Sequence, residues 1–398
     1  MKLPVLSLSK SLKGKRIFLR VDWNVPLKGA FAAEDSLKMT RSFATIEELS
    51  KRGAVVLVAT HLGRPEGWDE DLSTAKLLPK VMAAKGPKVH FLGQGLDKQE
   101  GLKKAVKEIE SAKPGSIFLL ENVRFYAGEE KNDVKLAKAY ASLADIFVND
   151  AFASSHRKHA SVVGIAGQLP HFAGPTLIQE VVALGKLLDK PKKPYLAIIG
   201  GAKLTTKLPA IEALLKVADR VLIGGAMAHA FYAAKKWEIG KSYIEKEGIA
   251  AARKMLKNPK IGLPADGVAA KKVEPGAKAW SVNVAKLKKS EAIGDIGPVT
   301  MREWSEEIRK AKTIVWNGPL GVADIPAFSH GSMVICRAMA ARSMGKAYGV
   351  VGGGDTLPVV LRSGMEEWFD HISTGGGAML EFITKKGKLP GLTCLTSK

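Results

Sequence analysis

Cysteine is scarce in this 398-residue chain, with Cys336 and Cys394 the only two. They form no CxxC pair and belong to no His/Cys cluster, so neither a disulfide framework nor a structural zinc site is expected. Both read as small buried hydrophobes. Long apolar runs are also missing, and none approaches the ~18 residues of a membrane span. Residues 1–15 carry lysines but only a broken apolar stretch, interrupted by Pro4 and Ser7. That is not the pattern of a secretory signal. A cytoplasmic location and no membrane partner are the resulting expectations. Neither GxxxxGK(S/T) nor GxGxxG occurs, which removes P-loop hydrolases and standard dinucleotide binders.

Acidic residues are in deficit, with 39 Asp+Glu against 61 Lys+Arg and a net charge of +22. The lysines are spread along the chain and form no basic tail. No helix–turn–helix, zinc-finger or RNP-like pattern accompanies them, so nucleic acid is not an expected partner. A site for a small polyanion needs only a few cations and leaves most of the excess unexplained.

What recurs is a short apolar run, a turn of glycine or polar residues, and a helical pattern. The runs lie at 16–21, 54–59, 88–92, 116–120 and 145–148 in the first half. In the second they lie at 195–199, 220–223, 313–316 and 347–351. Helical patterns fall at 103–111, 135–142, 207–218 and 305–311. Near-continuous apolar strands alternating with helices indicate parallel sheets covered on both faces. The length exceeds one ordinary core. Residues 175–188 read as a helix with Pro175 in its first turn, followed by the charged, Pro-rich stretch 189–194. The expected fold is therefore α/β, with two Rossmann-like three-layer domains, 1–173 and 195–383, joined by a hinge helix and linker at 174–194.

In open parallel sheets, ligands bind beyond the C-terminal strand ends. In the first half those ends are polar: Asp22-Trp23-Asn24, Thr60-His61-Leu62-Gly63-Arg64-Pro65, Glu121-Asn122-Val123-Arg124, and Asn149-Asp150 followed by His156-Arg157-Lys158-His159. Three arginines and up to three histidines converge on one rim. Guanidinium forks suit phosphate and carboxylate, and Asp22 and Asn24 could hold hydroxyls. A small, hydroxylated, multiply anionic ligand fits. In the second half the ends are glycine-rich: Gly200-Gly201-Ala202-Lys203, Gly224-Gly225-Ala226, Asn317-Gly318-Pro319, Gly352-Gly353-Gly354-Asp355-Thr356, and Ser373-Thr374-Gly375-Gly376-Gly377. Glycine lets backbone approach phosphate, and the following helix N-termini offer free N–H groups. With Lys203, Lys207 and Asp355 alongside, these turns point to a nucleotide. Asp355 is the natural Mg²⁺ ligand.

In this order, these residues closely resemble the phosphoglycerate kinase family. The likeness runs from Arg20-Val21-Asp22-Trp23-Asn24-Val25-Pro26 through Asp295-Ile296-Gly297-Pro298 to His371-Ile372-Ser373-Thr374-Gly375-Gly376-Gly377-Ala378 and covers nearly the whole chain. The resemblance implies reversible phosphoryl transfer from 1,3-bisphosphoglycerate to MgADP, giving 3-phosphoglycerate and MgATP after domain closure. By resemblance, Asp22, Asn24, Lys38, His61, Arg64, Arg124 and Arg157 would hold 3-phosphoglycerate. Gly200, Gly201, Lys203, Lys207, Gly224, Gly225, Asn317, Gly318, Pro319, Asp324, Gly352, Gly353, Gly354, Asp355 and Thr356 would hold the nucleotide. Lys38, Lys203, Gly353 and Gly376 would surround the phosphoryl group in transit. The resemblance also implies a monomer whose C-terminal tail, about 384–398, returns to the first domain.

Three positions depart from the family pattern. The arginine on the helix after the first substrate loop is Lys38 here, behind a loop one residue longer, with Arg41 one turn along as a possible helper. The glutamate for the ribose is Asp324, and the aspartate before the second lysine of the nucleotide loop is Thr206. Lys38 and the +22 charge leave an alternative reading: a catalytically weakened homologue acting as a polyanion- or nucleic-acid-binding protein.

Overall fold

The computed structural model describes residues 2–7, 11–27, 33–93 and 95–396, with backbone only at 33 and 34. It divides into two compact units, Met1–Val182 with Gly387–Lys398, and Ala183–Lys386. The loop that precedes Lys38 falls largely in 28–32, and the last tail residues are 397–398; both lie outside the described residues.

The first unit holds β1 (Arg16–Arg20), β2 (Val55–Ala59), β3 (His90–Leu92), β4 (Ile117–Leu120), β5 (Ile146–Asn149) and β6 (His171–Ala173). They form one parallel sheet in the order β3-β4-β2-β1-β5-β6. Its helices are α1 (Ala33–Lys51), α2 (Leu78–Ala83), α3 (Gln99–Glu110), α4 (Val134–Ser142) and α5 (Pro175–Gly185). Strand β2 is Val-Val-Leu-Val-Ala and buried throughout, as a central strand covered on both faces must be. Helix α1 turns Met39, Phe43, Ile46 and Leu49 into the core at helical spacing. The passage from one unit to the other falls within α5, whose first turn is Pro175.

The second unit repeats the plan with β7 (Tyr195–Ile199), β8 (Arg220–Ile223) and β9 (Ile261–Gly262), then, after an insertion, β13 (Thr313–Asn317), β14 (Tyr348–Gly352) and β15 (His371–Ser373). The parallel order is β15-β14-β13-β7-β8-β9. The insertion is a small antiparallel sheet of β10 (Asp266–Ala270), β11 (Trp280–Asn283) and β12 (Ala292–Ile296), ordered β11-β10-β12. No apolar run in the sequence marked it, because β10 contains glycine and β11 alternates between half-buried and exposed residues. The helices are α6 (Leu204–Val217), α7 (Met227–Ala234), α8 (Ile249–Met255), α9 (Pro298–Lys310), α10 (His330–Ser343), α11 (Leu357–Ser363) and α12 (Gly377–Thr384). The last helix, α13 (Pro390–Thr393), belongs with the first unit, where Gly391 N–H donates to Ser155 O at 2.8 Å.

In each sheet the connections change direction about the first strand, which lies between β2 and β5 in one unit and between β8 and β13 in the other. Both sheets therefore open a crevice at the C-terminal ends of these strands.

Candidate active site

In the first unit the crevice is a cavity of about 260 Å³ lined by Asp22, Asn24, His61, Gly63, Arg64, Arg124, Ser154, His156 and Arg157, together with Ala153. The turn after β1 is fixed by Trp23, fully buried, whose indole donates to Ser42 Oγ on α1 at 2.8 Å and whose backbone N–H donates to Thr60 Oγ1 at 2.9 Å. Asn24 Oδ1 accepts from Gly63 N–H at 2.9 Å. Buried Asn122 joins the turns after β2 and β4: its amide donates to Leu62 O at 2.9 Å, and its oxygen accepts from the N–H groups of Leu62 (3.2 Å) and Arg124 (3.1 Å). Arg124 Nη1 donates to Gly63 O at 2.5 Å, and its Nε lies 3.4 Å from Glu130.

This is a cationic cavity with one anion at its wall. Desolvation pushes the Asp22 carboxyl above the usual range, against the pull of Arg20, Lys38 and Arg124. His61 is buried, and desolvation together with Arg20, Arg124, His159 and Arg157 holds it well below the ordinary histidine value. His159 does not line the cavity. It sits behind it, 3.7 Å from buried Glu129, and burial and the same arginines hold it down to about 3. The rim's positive charge therefore comes from arginine, while His61 and His159 are neutral near pH 7.

Lys38 lines an adjoining cavity of about 650 Å³ with Asn24 and Gly63, and its Nζ lies 3.7 Å from Asp35. Arg41 turns to buried Glu180 of α5 at 3.7 Å, and its carbonyl accepts from Thr176 Oγ1 at 3.4 Å. The structure thus engages Arg41 with the connecting helix, leaving Lys38 as the α1 cation beside Asn24.

The second unit builds its site from backbone. Gly200 N–H donates to Asn317 O at 2.9 Å, Gly225 N–H to Leu320 O at 3.1 Å and Met227 N–H to Gly201 O at 3.0 Å. A Cβ on Gly200 would lie 2.1 Å from Pro319 O, and one on Gly318, at φ +93°, 2.2 Å from Gly200 O. Only glycine permits this approach. By contrast, a Cβ on Gly354, Gly376 or Gly377 would meet nothing within 4 Å, so these turns face open space.

Lys207 Nζ donates to Gly200 O at 2.6 Å and to Asn317 Oδ1 at 3.0 Å, pinning the turns after β7 and β13 together. Burial lowers its amine to about 8, with Asp355 acting in the opposite direction. Thr356 Oγ1 accepts from Gly318 N–H at 2.7 Å, tying the β14 turn to the β13 turn. Lys203, Asp355 and Asp324 are exposed, and Gly224 is buried against Leu320.

Some supporting residues have partners that carried no sequence signal. Glu245 caps α6, accepting from Thr205 N–H at 2.9 Å and from Thr205 Oγ1 at 2.5 Å. Thr206 instead donates to Lys203 O at 3.0 Å. Glu245 thus supplies a carboxylate at the loop where Thr206 has none. Asp295 accepts from Ile296 N–H (2.8 Å) and Gly331 N–H (2.7 Å) beneath the 318–324 turn, and burial raises it to about 7. Long-range partners of this kind leave no local pattern in a sequence.

The chain thus has two parallel α/β units, one with an arginine-lined cavity and the other with a glycine cradle at its strand ends. The chain belongs to the phosphoglycerate kinase family: the sequence model of that family, described as phosphoglycerate kinase, matches residues 8–386. A phosphoglycerate kinase of Thermus thermophilus is 42% identical over 388 residues, covering 96% of this chain and 97% of the relative. One of Dictyoglomus turgidum is 40% identical, covering 98% and 97%. Among solved structures, the phosphoglycerate kinase of Coxiella burnetii has 37% identity and a TM-score of 0.82 over 99% of both chains. That of Pyrococcus horikoshii has 30% identity and a TM-score of 0.84 over 97% of both. The alternative of a catalytically weakened homologue acting as a polyanion- or nucleic-acid-binding protein finds no support among these relatives.

Proposed function

We infer that the first-unit cavity holds 3-phosphoglycerate and the second-unit glycine cradle holds ADP or ATP. The single observation that carries this reading is the 260 Å³ cavity in which Asp22, Asn24, His61, Arg64, Arg124 and Arg157 meet. Its size suits a three-carbon phosphate, and its arginines offer forks to the phosphate and carboxylate of a multiply anionic acid. Asp22 and Asn24 take the hydroxyl. In the second unit, Lys203, the α6 N-terminus and the open turns at Gly354, Gly376 and Gly377 take the phosphates, and Asp324 takes the ribose.

The chemistry asks little of proton transfer. With ATP as donor the nucleophile is a carboxylate, ionised at pH 7, so no general base is required. Catalysis reduces to positioning and charge stabilisation by Lys38, Lys203 and the backbone N–H groups around Gly353 and Gly376. The residues fit Mg²⁺. Asp355 is an exposed hard-oxygen donor beside the open Gly354 turn, and no group of three His, Cys, Asp or Glu able to hold a metal occurs among the described residues. One carboxylate plus phosphates and water is the usual Mg²⁺ set. Bound there, the ion would neutralise charge on the phosphates. Because the reactants belong to different units, transfer requires the units to close, with α5 and its flanks as hinge. A cytoplasmic monomer is the form proposed.

The test is a coupled assay for ATP formation from 1,3-bisphosphoglycerate and ADP with and without Mg²⁺. Metal-dependent turnover, lost in Asp355→Ala, is the expected result; metal-independent turnover would remove Asp355 from its role.

A further inference from the structure

Behind the first-unit cavity lies a buried charged network that substrate contact does not explain. Arg20 is 1% exposed and is not among the cavity-lining residues, yet His61 and Ser154, which do line it, both bond to its guanidinium. Nη2 donates to His61 Nδ1 at 3.1 Å and to Ser154 Oγ at 3.2 Å, Nε donates to Ser161 Oγ at 3.0 Å, and Nη1 donates to Val21 O. Ser161 passes the link on. Its hydroxyl donates to Glu129 Oε1 at 2.6 Å and its backbone N–H to Oε2 at 3.0 Å. Glu129 is fully buried and also accepts from Tyr140 OH at 3.4 Å.

A guanidinium has donors and no acceptor, and it keeps its proton in proteins. The ring nitrogen facing it must therefore be the bare one. We propose that Arg20, held by Ser161 and Glu129, is a positioning residue that fixes His61 as the neutral tautomer with its proton on Nε2. The ring's remaining polar edge is then a permanent N–H donor for the substrate anion. This rests on the reading of the cavity as the 3-phosphoglycerate site and adds how one of its ligands is set. A second proton on His61 would have to sit on Nδ1, against Arg20. The other charges facing the ring act in the same direction: Arg124 from the turn after β4 and Arg157 from the segment after β5, while His159 nearby is itself neutral near pH 7. The carboxylates nearby, Asp22 in the wall of the same cavity and Glu129 behind it, offset Arg20. The consequence is an N–H donor whose protonation does not change with pH across the histidine range.

The test begins with the free, full-length enzyme labelled with ¹⁵N-histidine and followed by NMR from about pH 5.5 to 8. The expected spectrum keeps His61 Nδ1 at its unprotonated shift and Nε2 at its protonated shift throughout. A His61 that titrates near its ordinary value of about 6.5, or carries its proton on Nδ1, overturns the proposal. The Arg20→Gln/Glu129→Gln pair removes both buried charges together; there His61 should regain an ordinary titration while the Kd for MgADP stays put. If that variant loses stability but His61 still does not titrate, Arg20 is only structural and the proposal fails. Should the pair not fold, the wild-type spectrum decides alone. Saturation with 3-phosphoglycerate then tests the ligand role separately. A shifted Nε2 resonance supports it, and an unmoved one removes His61 from the substrate and ends the positioning claim.

Discussion

In the first unit, the strand ends present side chains: Arg64, Arg124 and Arg157 around Asp22 and Asn24, held in place by Trp23, Asn122 and the Arg20–Glu129 network. In the second, the corresponding strand ends present backbone, with Gly200, Gly225 and Gly318 pressed carbonyl against amide and Lys207 turned inward to clamp them. Both crevices sit where their sheets change direction, so in the proposed function the same topology would serve two ways of binding an anion. Guanidinium groups discriminate the shape of a small acid. The glycine cradle packs the strand-end turns against one another, and in the proposed site the open turns at Gly354, Gly376 and Gly377 offer N–H groups that any phosphate chain can use, leaving selectivity to the rest of the nucleotide site.

The sharpest way to break this contrast is to place a methyl group in the cradle. Gly318→Ala puts a Cβ against Gly200 O at a positive φ. Strain of about 3 kcal/mol would lower kcat/KM for nucleotide on the order of 100-fold. The KM for 3-phosphoglycerate should stay within about twofold, and steady-state kinetics with each substrate varied will show whether the loss is one-sided. Next in size is Lys38→Ala. Removing one charge-assisted contact of about 1.5–3 kcal/mol should lower kcat by about 10- to 100-fold. Lys38→Arg should retain or raise kcat, and full activity in Lys38→Ala would remove Lys38 from the transfer step.

Lys207 gives a pH test of the second unit alone. Its folded pKa of about 8 lies below the 10.5 of a free amine. Between those values the unfolded chain binds the extra proton, so this group makes stability rise with pH from about 8 to 10.5. Without nucleotide, the wild type should gain stability over that window relative to Lys207→Met in urea titrations. Nucleotide affinity should weaken as pH rises through about 8, while 3-phosphoglycerate affinity should show no Lys207-dependent step. The smallest effect is expected of Glu245→Gln, which trims the charge at the α6 N-terminus. A few tenths to about 1 kcal/mol corresponds to a change of about two- to fivefold in nucleotide KM, and combining it with Thr206→Asp should restore the starting value.

Most of the parallel strands were legible because buried strands read as apolar runs, whereas β6, β9 and β15, two or three residues long at sheet edges, made no such run; both crevices were legible because strand-end residues are local in sequence. Arg64, Arg124 and Arg157 declared themselves by type, and Gly200, Gly318 and Gly353 by their place after a strand. The antiparallel insertion stayed hidden because Asp-Gly-Val-Ala-Ala and Trp-Ser-Val-Asn make short, half-exposed strands. Partners were the hardest to foresee. Arg41 could serve α1's substrate side or α5, and only the fold brings Glu180 to it; Glu245 reaches Thr205 across 40 positions. Arg20 lay within a recognised motif, but its task depends on Ser161 and Glu129, which are brought to it from elsewhere in the chain.

The central claim is that the arginine-lined cavity of the first unit binds the small acid independently of the nucleotide cradle. Isothermal titration of Arg124→Ala with 3-phosphoglycerate and, separately, with MgADP tests it most directly. 3-Phosphoglycerate affinity should fall by about 10- to 100-fold while MgADP affinity stays within about twofold. Unchanged 3-phosphoglycerate affinity, or an equal loss for both ligands, would contradict it.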